Sequence, residues 1–304
     1  MPVYPLPADR RSLVASVPAV TANRTWLNAI LLMIVSAALF AVVDGMSKLL
    51  ADDQSVAQIV WARYGFAIPV LLAASPRLSW RTLLRTNERR NQIIRGLVPL
   101  VISVTMVLAV RHLPLAEATV ILYAGPLLVV ALSHPLLGEK VRPPAWIGVG
   151  AGFLAVLIVA RPGFSDLSLY TIFPVIAAIF YALFQIFTRK LGAAGELPQT
   201  TLAWTLLIGA LGATPAAAFT WQPLTLTAWA LMIGLGVVFG LAQITAIRAF
   251  ALAPANNLAP FSYAQVVAAT LFGFLVFGAI PDFWTAMGIV LIIAAGFYVM
   301  RHRT

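Results

Sequence analysis

From Leu197 to Ile247 the chain reads LPQTTLAWTLLIGALGATPAAAFTWQPLTLTAWALMIGLGVVFGLAQITAI, 51 residues without one charged side chain. A single helix crosses a hydrocarbon core of roughly 30 Å with about 20 residues, so this run is long enough for two. The stretch TPAAAFTWQPLTLT at its middle holds two prolines and marks the break between them. No strand-like alternation runs through it, and an open sheet would leave unpaired edge groups in lipid. The segment reads as a pair of membrane helices joined by a short turn.

Further apolar runs of similar length lie on both sides. The 304 residues are 61% apolar and 10% charged, and the mean hydropathy is +0.94. A soluble domain carries about 25% charged residues, so this chain lacks the polar surface to face water. Ten spans are expected, near residues 27–50, 56–74, 93–111, 115–137, 144–161, 169–189, 199–219, 227–252, 258–277 and 282–300. The tail over 1–26 has four prolines and is expected to be disordered, and 301–304 form a short second tail. The Arg10-Arg11 pair of the first tail is not read as an export signal, because the SLVASVPAV that follows is short and weakly apolar.

The net charge of +10 is distributed, not clustered. Fifteen of the twenty lysines and arginines fall in the N-terminal tail or in loops on its side of the membrane, Arg95 counted among them. Only Arg111 and Arg161 fall opposite, and Lys48, Arg63 and Arg248 lie within spans. This bias predicts cytoplasmic termini and a basic inner rim, with the lipid bilayer and not a nucleic acid as its partner. The absence of cysteine excludes disulfides and thiolate metal sites.

Laid on itself at one constant offset, without gaps, the chain pairs Gly96 with Gly236, Thr105 with Thr245, Pro114 with Pro254, Tyr123-Ala124 with Tyr263-Ala264, Gly138 with Gly278 and Gly148 with Gly288. These residues sit at bends and loops, where chance matches between apolar helices are rare. The pairing divides the chain into five-span halves over 27–161 and 169–300, and an odd number of spans orients them oppositely. Inverted repeats of this kind belong to secondary transporters, with a site between the halves near the midplane.

Three segments add a resemblance. They are DGMSKLL at 44–50, LPLAEATVILYAGPLLVVALSHPLLGEKVRPPAWIG at 113–148, and LAPANNLAPFSYAQVVAATLFGFLVFGAIPDFWTAMG at 252–288. On these the chain resembles the drug/metabolite transporter superfamily, EamA-type, and within it bacterial aromatic amino-acid exporters. The resemblance implies an all-α, ten-helix carrier of the cytoplasmic (inner) membrane, with the first four spans of each half around a central cavity. It implies export of small metabolites, with aromatic and other apolar amino acids as the expected substrates, by alternating access. Nucleotide-sugar and multidrug carriers are the alternatives within the superfamily. Two positions depart from the pattern: Val266 stands where a proline is usual and Ala279 where a glutamate is usual.

Ionisable groups inside a bilayer are costly and mark function. Asp44 lies seven residues before the outer end of the first span and Arg63 seven after the start of the second. At about 1.5 Å per residue they share a depth and are expected to pair, as a helix lock or a contact for charged ends of a substrate. Lys48 is expected either to snorkel to the interface or to stand at the pore mouth. Tyr123 and Tyr263, each nine residues after its proline, are expected to bracket a cavity from opposite sides of the midplane. Ser262, Gln265, Gln243 and Gln185 add uncharged donors and acceptors. Pro114 and Pro254 are candidate breaks beside hinges, Trp61 and Trp204 are core or substrate-facing, and Gly148–Gly152 and Gly236–Gly240 are packing faces.

An enzyme is the rival class. No HExxH or phosphate-binding GxxxxGK[ST] motif occurs, the histidines are His112, His134 and His302, and a second deep carboxylate to share a proton with Asp44 is missing. No metal or cofactor is expected, and a monomer or homodimer suffices. A topology reporter fused after Thr304 is expected to be active only in its cytoplasmic form; an external signal overturns the orientation.

Overall fold

The computed structural model of the chain describes residues 19–76, 78–137, 143–160, 168–253 and 258–301. Among these every regular element is helical. The α-helices are α1 (Ala19–Ala51), α2 (Val56–Gly65), α3 (Ala67–Ala74), α4 (Trp80–Leu83), α5 (Arg89–His112), α6 (Leu115–Leu122), α7 (Gly125–Leu137), α8 (Pro143–Ala160), α9 (Ile172–Ala193), α10 (Pro198–Phe219), α11 (Leu226–Leu252), α12 (Ala264–Phe277) and α13 (Phe283–Arg301). Short 3₁₀ turns at Leu169–Thr171 and Ala259–Tyr263 lead into α9 and α12.

Seven stretches are long and apolar enough to cross a membrane: Thr25–Ala51, Val56–Ala74, Arg89–His112, Leu115–Leu132, Leu169–Ala193, Pro198–Phe219 and Leu226–Leu252. Three shorter apolar helices, Trp146–Ala160, Phe261–Phe277 and Phe283–Tyr298, accompany them. Helix α1 begins at Ala19, inside the stretch expected to be a disordered tail. Pro254, Glu139, Lys140, Arg161 and the N-terminal stretch up to Pro18 lie outside the described residues.

Local chemistry sets the boundaries. Ser55, Ser79, Thr225 and Asp282 each accept a hydrogen bond from the backbone N–H three residues on, capping α2, α4, α11 and α13. Gly278, with φ +64°, ends α12 while the Ala279 N–H returns to the Gly273 carbonyl. Only a glycine adopts that backbone without strain.

Two spans expected as continuous helices are broken. The second interrupts at Phe66, where the ring of Pro69 displaces the carbonyl of Gly65 and offers no N–H to it. The fourth interrupts at Tyr123-Ala124, where Pro126 does the same to Leu122. The ninth opens as a 3₁₀ turn that runs to Tyr263. The breaks in the fourth and ninth spans therefore fall on Tyr123 and Tyr263, the tyrosines that the internal repeat pairs.

The packing repeats that correspondence. α1 lies along α11, and α5 lies along α9. α1 starts beside the end of α11, with Ala29 against Ala249 and Ala253, and the start of α5 meets the end of α9, where Arg95 bonds Thr188. Both pairs are antiparallel. α1 and α5 run the same way, since Lys48 near the end of α1 reaches carbonyls at the end of α5. Hence α1 and its counterpart α9 point in opposite directions. α2 packs on α10, and α8 on α13. α12 lies against α1 and α6.

Glycines allow these approaches. A Cβ on Gly209 would run into the Tyr64 ring, and one on Gly236 would lie 2.7 Å from the Ala62 carbonyl oxygen. The Gly236 contact is with backbone, so it yields only if two helices separate. Gly236→Val is expected to lower the Tm of the detergent-solubilised protein, at a cost of about 1–3 kcal/mol. Gly150→Ala, which meets nothing within 4 Å, is expected to leave the Tm unchanged or slightly raised.

Candidate functional site

Asp44, Ser47 and Lys48 lie three and four residues apart on α1 and so share one face. Across from them α2 presents Arg63 and Tyr64. Arg63 Nη2 donates to Asp44 Oδ1 at 3.3 Å and to Ser47 Oγ at 2.8 Å. Its Nη1 donates to Ser103 Oγ of α5 at 3.3 Å, and that hydroxyl also shares a 2.8 Å hydrogen bond with the Tyr64 phenol. The guanidinium carbon stands 5.8 Å from the ring centroid of Phe239 on α11.

The second oxygen of Asp44 is held from the other half. Gln265 Nε2 donates to Asp44 Oδ2 at 3.2 Å, and its Oε1 accepts from the Tyr123 hydroxyl at 2.9 Å. Ser262 is buried beside the same hydroxyl. A continuous polar chain therefore runs from Tyr123 through Gln265, Asp44, Arg63 and Ser103 to Tyr64. Asp44 is 6% exposed and Arg63 5%. Charges this deep persist only when paired and hydrogen-bonded on most sides. One donor is left over: the buried Arg63 Nε has no hydrogen-bond partner among the described residues.

The expected sites divide as follows. Asp44, Arg63, Tyr123, Ser262, Tyr263 and Gln265 come together. The Tyr123 and Tyr263 rings touch, with centroids 5.3 Å apart and planes at 54°. Both rings stand at a helix break. Lys48 is held at the end of α5. Its Nζ donates to the Val110 and Leu113 carbonyls at 2.6 and 2.8 Å and lies 5.6 Å from the Phe277 ring centroid. A cation on the last carbonyls of α5 also complements that helix's dipole. Gln185 donates to Tyr181 of its own helix at 2.9 Å. Gln243 sits half-buried on α11 outside the described network.

Arg95 is a correction: counted with the rim charges, it is 8% exposed and turned into the bundle. Ser47, Tyr64, Ser103 and Phe239 were not foreseen either. Ser47 was legible from its place one turn after Asp44, and the break at Tyr123 from the Gly125-Pro126 pair. Nothing local marks Ser103 or Phe239, which the fold brings from other helices.

A cavity of about 830 Å³ opens between the start of α6, the end of α8, the second half of α12 and the start of α13. Glu117 and Thr270 are among its lining residues. Tyr123 lies six residues past Glu117 and Gln265 five before Thr270, about 8–9 Å further along the same two helices. The cavity thus leads towards the polar chain, which closes beneath it.

Comparison with known proteins agrees with this architecture. The riboflavin transporter of Vibrio cholerae is 27% identical over 282 residues, 91% of this chain and 94% of that protein. The S-adenosylmethionine uptake transporter of Rickettsia bellii is 28% identical over 257 residues, 84% and 88% of the two chains. The pseudopaline exporter of Pseudomonas aeruginosa is 28% identical over 279 residues, covering 90% and 96%. A solved crystal structure with 22% identity superposes with a TM-score of 0.60 over 92% of this chain and 97% of its own, which shows a shared fold. The model of one family matches twice, over residues 27–161 and 168–301, and with nearly the whole length so accounted for, the chain belongs to the EamA-like transporter family.

Proposed function

We propose that the chain is a secondary carrier that exports amino acids, aromatic and other apolar ones, across the bacterial inner membrane by alternating access. Family membership makes it a multi-pass membrane transporter of small molecules and not an enzyme. The narrower reading is carried by one observation: the buried Asp44–Arg63 pair, with Gln265 and Tyr123 extending it. A zwitterion needs an anion for its ammonium and a cation for its carboxylate, a few ångströms apart and away from water. Asp44 and Arg63 are that pair, and the Arg63 Nε is a donor in reserve. Tyr123, Tyr263, Phe239 and Tyr64 surround it with rings that suit an aromatic or apolar side chain.

In this reading the ten apolar segments are ten spans in two inverted five-span halves, both termini are cytoplasmic, and the cavity is the outer vestibule. The opposed directions of α1 and α9 support it, as do the matched breaks at Tyr123 and Tyr263. Of the relatives, one is named for uptake and one for export. Direction therefore rests on the resemblance to amino-acid exporters alone. S-adenosylmethionine, the cargo named for one relative, has an α-amino-acid end, the moiety the pair would hold.

Counterflow of radiolabelled phenylalanine and other amino acids in proteoliposomes tests the proposal. Saturable, trans-stimulated exchange is expected, and its absence across the panel overturns the substrate class. Asp44→Asn and Arg63→Gln are each expected to lower exchange at least about tenfold, since one charge-assisted hydrogen bond is worth about 1.5–3 kcal/mol. Breaking a buried pair also destabilises, so the double variant and monodispersity on size exclusion separate binding from folding. Full exchange by both folded single variants removes the pair from the site.

A second series concerns the ring contact. Tyr123→Phe loses the hydroxyl contacts with Gln265 and Ser262, whereas Tyr123→Ala also loses the ring contact with Tyr263. Both are expected to weaken exchange, with the Ala variant more affected, as a rise in KM. Tyr263→Phe, which keeps the ring contact, is expected to retain more exchange than Tyr263→Ala. Parent-like kinetics in all four variants exclude the tyrosines from the site.

A further inference from the structure

We propose that Arg95 is the gate at the basic-loop end of the carrier, a latch that ties the two halves together there and releases when that end opens. The inference rests on the carrier reading above. Arg95 stands six residues into α5, past the exposed Arg89 and Arg90. Its Nε donates to Thr188 Oγ1 of α9 at 2.9 Å. Its Nη1 donates to the Thr201 carbonyl at 3.2 Å and to Thr205 Oγ1, both of α10. The guanidinium carbon lies 4.3 Å from the ring centroid of Phe184 on α9. One side chain of the first half thus grips two helices of the second.

The chemistry of the grip fits a contact that must be made and broken. Among the described residues no carboxylate pairs with Arg95, in contrast to Arg63. Hydroxyls, a carbonyl and an aromatic face hold the charge, which orders it without the full attraction of a buried ion pair. A second tie lies alongside. Glu196, between α9 and α10, accepts from the Asn87 N–H at 3.2 Å and from Gln92 Nε2 at 3.0 Å. Gln92 is 1% exposed, and its Oε1 is buried without a hydrogen-bond partner among the described residues. An unsatisfied buried acceptor costs free energy that opening to water would recover.

The repeat shows that the latch is particular to one end. The counterpart of Arg95 in the second half is Leu235 of α11. The neighbouring Gly96 and Gly236 do the same job in both copies, the first packing on Ile208 of α10 and the second on Phe66 beside α2. Thr201 and Thr205 correspond to Trp61 and Gly65. Where Arg95 finds hydroxyls, the fully buried Leu235 packs in an apolar cluster. Two equivalent helix crossings therefore close differently, one by a charged latch and one by apolar packing. The 830 Å³ cavity opens at the other end of α5, by His112 and Leu113, about 26 Å along the helix from Arg95. The latch is engaged while the far end is open, as a gate in an alternating-access carrier requires.

The chain has no cysteine, so each introduced thiol is a unique reporter. L202C places one in the core beside the latch, and T270C places one in the cavity at the far end. Reaction with a membrane-impermeant maleimide, without substrate, is followed from each side of oriented vesicles. In Arg95→Gln, labelling at L202C from the basic-loop side is expected to rise about tenfold and labelling at T270C from the opposite side to fall. Thr188→Val with Thr205→Val removes the partners while keeping the charge, and is expected to shift both rates the same way. Arg95→Lys, which keeps the charge without the fork, is expected to fall between parent and Arg95→Gln. Counterflow by the parent is measured in the same vesicles, and its absence overturns the carrier reading. Unchanged labelling at both thiols in monodisperse variants, with parental counterflow present, overturns the gate alone.

Discussion

In hydrocarbon there is no water to satisfy a backbone N–H or C=O, and every other feature of this bundle follows from that constraint. It forces the apolar runs into helices and makes each interruption costly. Interruptions are therefore informative where they occur. Those at Phe66 and Tyr123 are produced by Pro69 and Pro126, and the 3₁₀ turn that ends at Tyr263 opens on Ala259-Pro260. Two of the three bring a tyrosine to the polar chain through Gln265 and Asp44, so the ladder is sacrificed where a side chain is wanted in the centre.

The same absence of water governs the charges. Three of the bundle's cations are held in three ways: Arg63 by the Asp44 carboxylate, Lys48 by two carbonyls at a helix end, and Arg95 by hydroxyls and an aromatic ring. The strength of each arrangement matches its place. The ion pair joins α1 to α2, the lysine ties the ends of α1 and α5, and the arginine bridges α5 to α9 and α10. A carrier needs contacts of graded strength, because the ones that move must be weaker than the ones that hold a half together.

Near-symmetry makes the differences between halves easy to see. Glycines, a tyrosine and helix contacts recur from the first half to the second, and crossings of α5 on α10 and of α11 on α2 and α3 are counterparts. Against that background Arg95 opposite Leu235 stands out, as do Val266 and Ala279 in place of the usual proline and glutamate. With Ala279 at the end of α12, Asp44 is the carboxylate of the described polar chain, and its two oxygens are both engaged.

Helical class, membrane residence and the internal repeat were legible in the sequence, because hydropathy and the spacing of glycine and proline are properties of a one-dimensional string. The shared depth of Asp44 and Arg63 was legible too, from a rise of about 1.5 Å per residue. What the string does not carry is rotation. These helices are apolar on all sides, one face towards lipid and one towards protein, so no polar stripe says which residues turn inward. Only the packed structure therefore decided that Gln265 meets Asp44 across 221 residues, that the tyrosines touch, and that Arg95 leaves the rim for the interior. Those choices depend on the angles at which helices cross, and the crossings are set by glycines and side chains from distant parts of the chain.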